Sequence, residues 1–173
     1  KVLIVGGGPG GMEAARIAAM RGHKVTIWEK ADSLGGNLLP ASVPDFKLDY
    51  RHFIDYLSTQ VKKLGIKTEL NKEATPELIK QLKPDAVIVA TGATQTIPDV
   101  PGVKGKNVVT AVEVLLGRSK VGETVVVRGG GLVAADTALY LAKLGKKVTI
   151  VTGMVGIAPD LAPADLACMM ELM

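Results

Sequence analysis

The amino-acid sequence predicts an α/β fold in which one β-α-β unit occurs twice, with parallel sheets, flanking helices and a truncated second copy. Short apolar runs that end at glycine are typical of buried parallel strands. After each glycine cluster, apolar residues recur at helical spacing. The stretch 5–29 is matched in these respects by the stretch 127–151, so the sequence indicates two similar units in tandem.

The first unit begins with a strand over 1–5, which stops at Gly6. Residues 9–21 are predicted to form a helix because apolar side chains recur along one face. Gly22 is expected to cap this helix, and a second strand follows over 24–29. A parallel β-α-β connection of this kind is right-handed in almost all proteins.

The rest of the first unit contains less regular sequence. Residues 31–48 have no clear period and are expected to form a loop. A helix is predicted over 49–64 and a strand over 66–70. Pro76 is expected to start a short helix, and 85–90 is predicted to be a buried strand. The helix over 49–64 should turn five side chains inward, namely Phe53, Ile54, Leu57, Val61 and Leu64.

A segment rich in proline and glycine, residues 93–107, is the predicted linker between the two units. We therefore expect one domain over 1–100 and a second, partial domain over 101–173. The second domain is predicted to contain a strand over 124–127, a helix over 132–144 and a strand over 147–151.

Composition argues against several classes of function. The chain has 173 residues, 47% of them hydrophobic, which is enough for a buried core. The net charge of +4 comes from scattered lysines rather than from a basic run, so nucleic acid is not an expected partner. No apolar stretch reaches about 18 residues, the length that spans a membrane, so no membrane association is expected.

Metal and thiol chemistry are not expected in this chain. Cys168 is its single cysteine, which excludes an internal disulfide, a thiolate metal site and a dithiol redox pair. His23 and His52 lie in different predicted elements without ligand spacing. This cysteine usage fits a cytoplasmic protein. Because the chain starts at Lys1 rather than at methionine, we expect it to be a piece of a longer protein.

The first glycine cluster has the G-x-G-x-x-G spacing at Gly6, Gly8 and Gly11. The first glycine permits a sharp turn, the second lets the backbone approach a pyrophosphate, and the third lets helix and strand pack closely. The phosphates would lie at the helix N-terminus, where N–H groups are unpaired. Glu29 ends the next strand and can accept hydrogen bonds from both ribose hydroxyls. Together these features are the dinucleotide-binding fingerprint of a Rossmann-like fold.

The second glycine cluster has the related pattern Gly129-x-Gly131-x-x-Ala134, in which alanine is an accepted third residue. Its second strand, however, ends at Thr152, which has no carboxylate to hold the ribose hydroxyls, and no arginine follows to bind a 2′-phosphate. The pattern favours a bound NAD(P)H. The alternative is a copy of the fold that has lost its ligand.

Four stretches of the chain resemble the C-terminal FAD- and NAD(P)-binding portion of the multidomain NADH:flavin oxidoreductases of old-yellow-enzyme type. This family includes 2,4-dienoyl-CoA reductase and trimethylamine dehydrogenase. The stretches are KVLIVGGGPGGMEAARIAAMRGHKVTIWEK at 1–30, LGGNL at 34–38, DAVIVATGA at 85–93 and VVVRGGGLVAADTALYLAKLGKKVTIV at 125–151. The resemblance therefore extends over nearly the whole chain.

The resemblance implies an FAD or ADP site in the first unit and an NAD(P)H site in the second. The first site would comprise Gly6, Gly8, Pro9, Gly10, Gly11, Glu29, Lys30, Gly36, Asn37, Ala74, Ala90, Thr91 and Gly92. The second would comprise Gly129, Gly131, Leu132, Val133 and Ala134. A hydride would pass from NAD(P)H to FAD, and its electrons on to a 4Fe-4S cluster and FMN in an upstream barrel domain. No catalytic side chain is needed, since cofactors supply the chemistry.

Two other interpretations stay open. The first site could hold ADP as a permanent structural ligand beside an unused second site, as in the trimethylamine dehydrogenase branch. The chain could instead resemble the electron-input subunit of glutamate synthase. Met169, Met170 and Met173 are expected on one apolar helix face, which would favour a homo-oligomer if exposed. Cys168 and Trp28 are expected to be packing residues.

Overall fold

The computed structural model describes residues 1–159 and 161–172 of the chain. The chain divides into two compact units, Lys1–Ile97 and Pro98–Met173. The division falls inside the predicted linker, and no helix or strand occurs between Val89 and Ala111. Both units are α/β with parallel strands and flanking helices, so the predicted fold class is confirmed.

The first unit is built on a four-stranded parallel sheet. Its strands are β1 (Val2–Val5), β2 (Val25–Trp28), β3 (Lys67–Glu69) and β4 (Ala86–Val89). The order in the sheet is β3-β2-β1-β4, and each neighbouring pair is parallel. The carboxyl ends of β1, β2 and β4 therefore meet at one edge of the sheet, where ligands of open α/β sheets bind.

Four helices accompany this sheet: α1 (Pro9–Met20), α2 (Leu38–Ala41), α3 (Leu48–Lys63) and α4 (Pro76–Leu82). The prediction of a loop over 31–48 was wrong in part, because α2 and a 3-10 turn at Asp45–Lys47 lie within it. Both elements are at most a single turn long, which is too short to impose an apolar period on the sequence.

The core of the first unit lies on both faces of the sheet. On one face, α1 and α3 enclose a cluster of Ile4, Met12, Ala15, Ala18, Val25, Ile27, Leu57, Val61 and Ile66. On the other face, Leu3, Val5 and Trp28 are buried, with Ala74, Leu78 and Ile79 packed against them. Successive side chains of β1 and β2 point to opposite faces of the sheet, so they belong alternately to the two clusters. The expectation that Trp28 is a packing residue is thereby confirmed.

Two burial predictions for this unit were wrong. Phe53 and Leu64 of the 49–64 stretch are 46% and 38% exposed, because the stripe that faces the sheet is the narrower set Ile54, Leu57 and Val61. The predicted buried strand β4 is exposed along its whole length, and Val89 is 71% exposed. β4 is one of the two edge strands, and α1 and α3 pack mainly over β1 and β2.

The second unit contains a two-stranded parallel sheet of β5 (Thr124–Arg128) and β6 (Lys147–Val151). Its helices are α5 (Ala111–Leu115), α6 (Leu132–Lys143) and α7 (Pro163–Leu172). Sequence analysis missed α5. The signal was present, since Thr110 and Glu113 form a capping box in which each side chain receives the other residue's backbone N–H.

The core of the second unit lies between α6, α7 and the segment after β6. Ala135, Ala158 and Met169 are buried there, with Leu132, Ile157, Leu161 and Leu166 packed against them. The prediction of one apolar methionine face was wrong, because Met169 is buried whereas Met170 is exposed; Met173 lies outside the described residues. Cys168 is exposed, so the prediction that it packs in the core was wrong too.

Candidate functional site

The first glycine loop joins β1 to α1 and is shaped by backbone collisions that only glycine avoids. Gly6 has a φ of +107°, and a Cβ there would strike the carbonyl oxygen of Ala90. A Cβ on Gly11 would strike the carbonyl oxygen of Gly6. These contacts account for the first and third glycines of the fingerprint: the turn is sharp, and helix and strand are close.

The second glycine of the fingerprint is less confined, since a Cβ there would make only an ordinary van der Waals contact. The nearest atom to a Cβ on Gly8 would be the Cα of Gly36, at 3.9 Å, and a Cβ on Gly10 would meet nothing within 4 Å. Gly8 is the N-cap of α1 and Pro9 is its first residue. The N–H groups of a helix's first turn have no helical partners, so those at the start of α1 remain able to donate to a ligand.

Glu29 directly follows the last residue of β2, beside this loop, and is 8% exposed. One oxygen of its carboxylate, Oε2, accepts the N–H of Gly7 at 2.5 Å. The other oxygen, Oε1, accepts the N–H of Ala31 at 2.8 Å. A carboxylate has about four acceptor positions, so these two bonds leave capacity for two hydroxyl donors. The same side chain therefore fixes the glycine loop and retains the acceptors that a ribose needs.

A second loop, residues 34–37, packs directly on the first. The N–H of Gly35 donates to the carbonyl oxygen of Gly7 at 2.9 Å. The side chain of Leu34 lies where a Cβ on Gly7 would be. Gly36 has a φ of +52°, and a Cβ there would lie 3.0 Å from the Cα of Gly8. The backbones of Gly8 and Gly36 are thus in close contact, and neither residue has a side chain to keep them apart.

The carboxyl end of β4 supplies the third side of the site. Ala90 donates its N–H to Val5 at 2.8 Å, which continues the pairing of β4 with β1. The side-chain amide of Asn37 donates to the carbonyl oxygen of Ala93 at 3.2 Å. Gly92 lies beside the same amide. The two loops and this strand end therefore converge at the same edge of the sheet.

The structure places two of the predicted site residues, Lys30 and Ala74, away from this convergence or at its margin. Lys30 is exposed just after Glu29. Ala74 packs against the cluster of Leu3, Val5 and Trp28, on the face of the sheet that α4 covers. Thr91, two residues after β4, is exposed, but its backbone nitrogen lies within the convergence, 3.2 Å from where a Cβ on Gly6 would be.

Charged side chains flank Trp28 near Ala74. The ammonium of Lys72 lies 5.1 Å from the centre of the Trp28 ring. The pKa of Glu69 is lowered, first by its hydrogen bond with the Lys67 ammonium at 2.8 Å and further by the charge of Lys72. Glu69 is therefore ionised at neutral pH, and together with Lys67 and Lys72 it forms a polar border beside the apolar cluster.

The second glycine loop joins β5 to α6 in the same way. Gly129 has a φ of +133°, and a Cβ there would lie 3.4 Å from the Cβ of Ala134, an ordinary contact. Gly131 is the N-cap of α6 and has open space where its Cβ would be. Leu132 packs into the core of the unit, whereas Val133 is 64% exposed. The loop thus presents a helix N-terminus and one glycine beside an opening.

The segment after β6 closes over this second loop. A Cβ on Gly130 would strike the hydroxyl of Thr152. That hydroxyl accepts the N–H of Met154 at 3.0 Å. The N–H of Ala158 donates to the carbonyl oxygen of Gly130 at 2.5 Å. The Thr152 hydroxyl therefore lies against Gly130 and is bonded to the backbone N–H of Met154.

Sequence reasoning missed the middle glycine of each cluster. Gly7 is confined by Leu34 and Glu29, and Gly130 is confined by Thr152. A signal was present, since both clusters are written Gly-Gly-Gly although the fingerprint requires only the outer two.

The described residues contain no group of three or more His, Cys, Asp or Glu side chains that could hold a metal ion. Among them there is also no helix long and apolar enough to cross a bilayer.

Comparison with known proteins identifies the family. Residues 1–172 match the family described as pyridine nucleotide-disulphide oxidoreductase. The chain belongs to this family. Its fold and its two nucleotide-binding fingerprints are those expected of an oxidoreductase that binds nucleotides, and the predicted resemblance to flavin oxidoreductases is confirmed.

Three relatives define the comparison more closely. Cinnamate reductase of Clostridium sporogenes is 50% identical over 151 residues, which cover 87% of this chain and 22% of the relative. NADH oxidase of Thermoanaerobacter brockii is 43% identical over 99% of this chain and 27% of the relative. The solved structure of a 2-naphthoyl-CoA reductase complex matches with a TM-score of 0.95 at 41% identity, over 100% of this chain and 26% of that one. The chain thus spans about a quarter of the length of these relatives.

Proposed function

We propose that this chain is the FAD- and NAD(P)H-binding electron-transfer part of a flavin-dependent oxidoreductase. The domain over 1–100 holds FAD, and the domain over 101–173 holds NAD(P)H. One observation carries the proposal: Gly8 and Gly36 face each other beside the N-terminus of α1 and the carboxylate of Glu29. Diphosphate and ribose need these two kinds of group, side by side.

The residues of the first site fit the ADP half of FAD. Among the described residues, the only neighbour within 4 Å of a Cβ on Gly8 would be the backbone of Gly36, so we expect a pyrophosphate to approach the helix N-terminus without meeting a side chain. Glu29 has acceptor capacity left for the ribose hydroxyls. Gly36, Asn37 and the end of β4 add further backbone and amide groups at the sheet edge, which a longer dinucleotide can contact.

The protein's own contribution is binding and orientation. A flavin supplies the ability to accept a hydride from reduced nicotinamide, with its two electrons. The side chains of this chain hold the nucleotides, and none is needed as an acid or base. The electrons leave to FMN and a 4Fe-4S cluster in a barrel domain that belongs to the same larger enzyme and is its partner here. The relatives' greater length supports this part of the proposal.

A structural ADP module is the second candidate, and Thr152 is the observation that favours it. The second site has no carboxylate for the ribose of NAD(P)H, because Thr152 stands where Glu29 stands in the first. In this alternative the first site holds ADP permanently and the second is unused.

The spectrum of the purified protein and the nucleotide released on denaturation test the proposal. A flavin absorbance band with released FAD, and bleaching of that band by NADH or NADPH, would support it. Colourless protein that releases ADP would support the structural module instead. Protein that releases neither FAD nor ADP, and binds neither when they are added, would contradict both.

A matched pair of variants assigns each nucleotide to its unit. Gly8→Val places a side chain in the first opening and should abolish flavin binding, since a Cβ fits the fold there but occupies the space of the phosphates. Gly131→Val does the same in the second unit and should abolish nicotinamide binding. Loss of flavin from Gly131→Val with full retention in Gly8→Val would contradict the assignment.

A further inference from the structure

The two units can be compared residue by residue, because Thr152 follows Gly129 at the same separation as Glu29 follows Gly6. Each of the two residues comes directly after the last residue of the second strand of its unit. Thr152 therefore occupies the position of Glu29 in the fold, which is the position that reads the adenosine ribose in a dinucleotide site.

Thr152 keeps the structural contact of Glu29. The Glu29 carboxylate accepts the N–H of Ala31, two residues on, at 2.8 Å. The Thr152 hydroxyl accepts the N–H of Met154, also two residues on, at 3.0 Å. Each side chain also lies against the middle glycine of its own loop, Gly7 or Gly130. The turn after the second strand is thus stabilised in the same way in both units.

Thr152 lacks the carboxylate group, which is the part of Glu29 that discriminates between NAD(H) and NADP(H). A carboxylate in this position binds both ribose hydroxyls of NAD(H) and repels the 2′-phosphate of NADP(H). The Thr152 hydroxyl carries no charge, and residues 152–159 contain no charged side chain. Arg128, paired in register with Val151, is exposed, so its attraction for phosphate is screened by water.

We propose that the second site binds NADH and NADPH with similar affinity, and that Thr152 is the residue that determines this lack of selectivity. The inference rests on the proposed function, since it requires the second unit to bind a reduced nicotinamide nucleotide. Binding energy comes from the pyrophosphate at Gly131 and the N-terminus of α6, which the two nucleotides share.

Titration of the purified protein with NADH and with NADPH, followed by nicotinamide fluorescence, tests the inference. The two dissociation constants should agree within about tenfold, because the neutral hydroxyl of Thr152 neither repels a 2′-phosphate nor holds both ribose hydroxyls. Thr152→Glu should weaken NADPH relative to NADH by at least about tenfold through charge repulsion. Thr149→Glu, which adds the same charge at an exposed position of β6, should leave the ratio unchanged.

The outcomes separate this inference from the proposed function. A wild-type preference of more than about tenfold for either nucleotide would overturn the inference and leave the proposed function standing. An unchanged ratio in folded Thr152→Glu would remove the role of Thr152. Failure of the wild-type protein to bind either nucleotide would overturn the proposed function and the inference with it. The ratio of the wild-type dissociation constants for NADH and NADPH decides whether the second site is unselective, even if a variant does not fold.

Discussion

The two glycine loops of this protein have the same path but are confined by different neighbours. In the first, Gly11 approaches Gly6 so closely that a Cβ would strike its carbonyl oxygen. In the second, Ala134 takes the place of Gly11 and makes an ordinary contact at 3.4 Å with a Cβ built on Gly129. The turn itself therefore tolerates some variation in how closely helix and strand pack.

The two loops differ in chemistry at the residue that directly follows the second strand of each unit. Glu29 brings a buried charge to the first loop, whereas Thr152 brings a neutral hydroxyl to the second. Both side chains accept a backbone N–H two residues on, so both stabilise their turn. We infer from the comparison that the fold requires a hydrogen-bond acceptor at the residue after the second strand. The negative charge of Glu29 is not needed for the fold and serves ligand binding.

Substitution at the third position of each fingerprint, Gly11→Ala in the first loop and Ala134→Gly in the second, is expected to give the largest difference in stability. Gly11→Ala should lower the free energy of unfolding by about 2–3 kcal/mol, because the Cβ meets a backbone carbonyl that cannot move aside cheaply. Ala134→Gly should cost about 1 kcal/mol or less, the helix-propensity difference alone. Denaturation by urea, followed by circular dichroism, measures both.

Gly10→Ala is the control for this pair, since its Cβ meets nothing within 4 Å and helix propensity favours alanine. If Gly11→Ala were no less stable than Gly10→Ala, the tight packing of α1 on β1 would be refuted.

Removal of the carboxylate tests the role of charge in the first loop. Glu29→Ala should weaken binding of ADP by about 1.5–3 kcal/mol, the scale of hydrogen bonds to a charged group. Glu29→Gln keeps one acceptor oxygen without the charge and should give an intermediate loss. Calorimetric titration of the nucleotide-free protein with ADP measures the affinities. Equal affinity in all three proteins would rule out the ribose role of Glu29.

The N-terminal caps of α4 and α5 allow a comparison between the units in which the expected changes in stability are smaller. Thr75→Ala removes the acceptor for the N–H of Leu78 at the start of α4 and should cost about 1 kcal/mol, with little dependence on pH. In the second unit the cap at Thr110 includes Glu113, whose pKa is lowered from 4.5 by the hydrogen bonds from the backbone and side chain of Thr110.

The sign of the pH effect follows from that lowered pKa. Because the folded pKa is below the unfolded one, Glu113 contributes its stabilisation above pH 4.5 and loses it as the pH falls through the folded pKa. Urea denaturation at neutral pH and at low pH should therefore show a stability difference between wild type and Glu113→Gln that shrinks in acid. A difference that persists unchanged in acid would argue against the capping box.

Loss of the Thr152 hydroxyl should have the smallest effect on stability. Thr152→Val removes the acceptor for the N–H of Met154, but that N–H is exposed and can bond to water. We expect a cost of about 0.5 kcal/mol, the low end for a single hydrogen bond. Thermal unfolding compares it with Glu29→Ala, which leaves two N–H groups without their acceptor. A larger loss for Thr152→Val than for Glu29→Ala would reverse the comparison.

Much of the first unit could be predicted because its elements have strong local patterns. The strands at 1–5 and 24–29 and the helix between them lie within a residue or so of their predicted bounds. The glycine fingerprint predicted the turn at Gly6 and the close approach at Gly11, since both constraints act between residues that are near in sequence.

Burial in the same unit could be predicted less well. Phe53 and Leu64 have the helical spacing of core residues, yet both are exposed. β4 has the apolar composition of a central strand, yet it lies at the edge of the sheet. Periodicity reports which face of an element is apolar, but how much of that face is covered depends on the neighbour that the fold supplies.

The sequence by itself determined the family of the chain, its two β-α-β units and the position of the glycine loops, because spacing and residue type encode these locally. Only the tertiary structure decided that Leu34 and Glu29 confine Gly7, and that Thr152 confines Gly130. Such contacts join segments distant in sequence, and each requires the sheet to bring the end of one strand beside the turn that follows another.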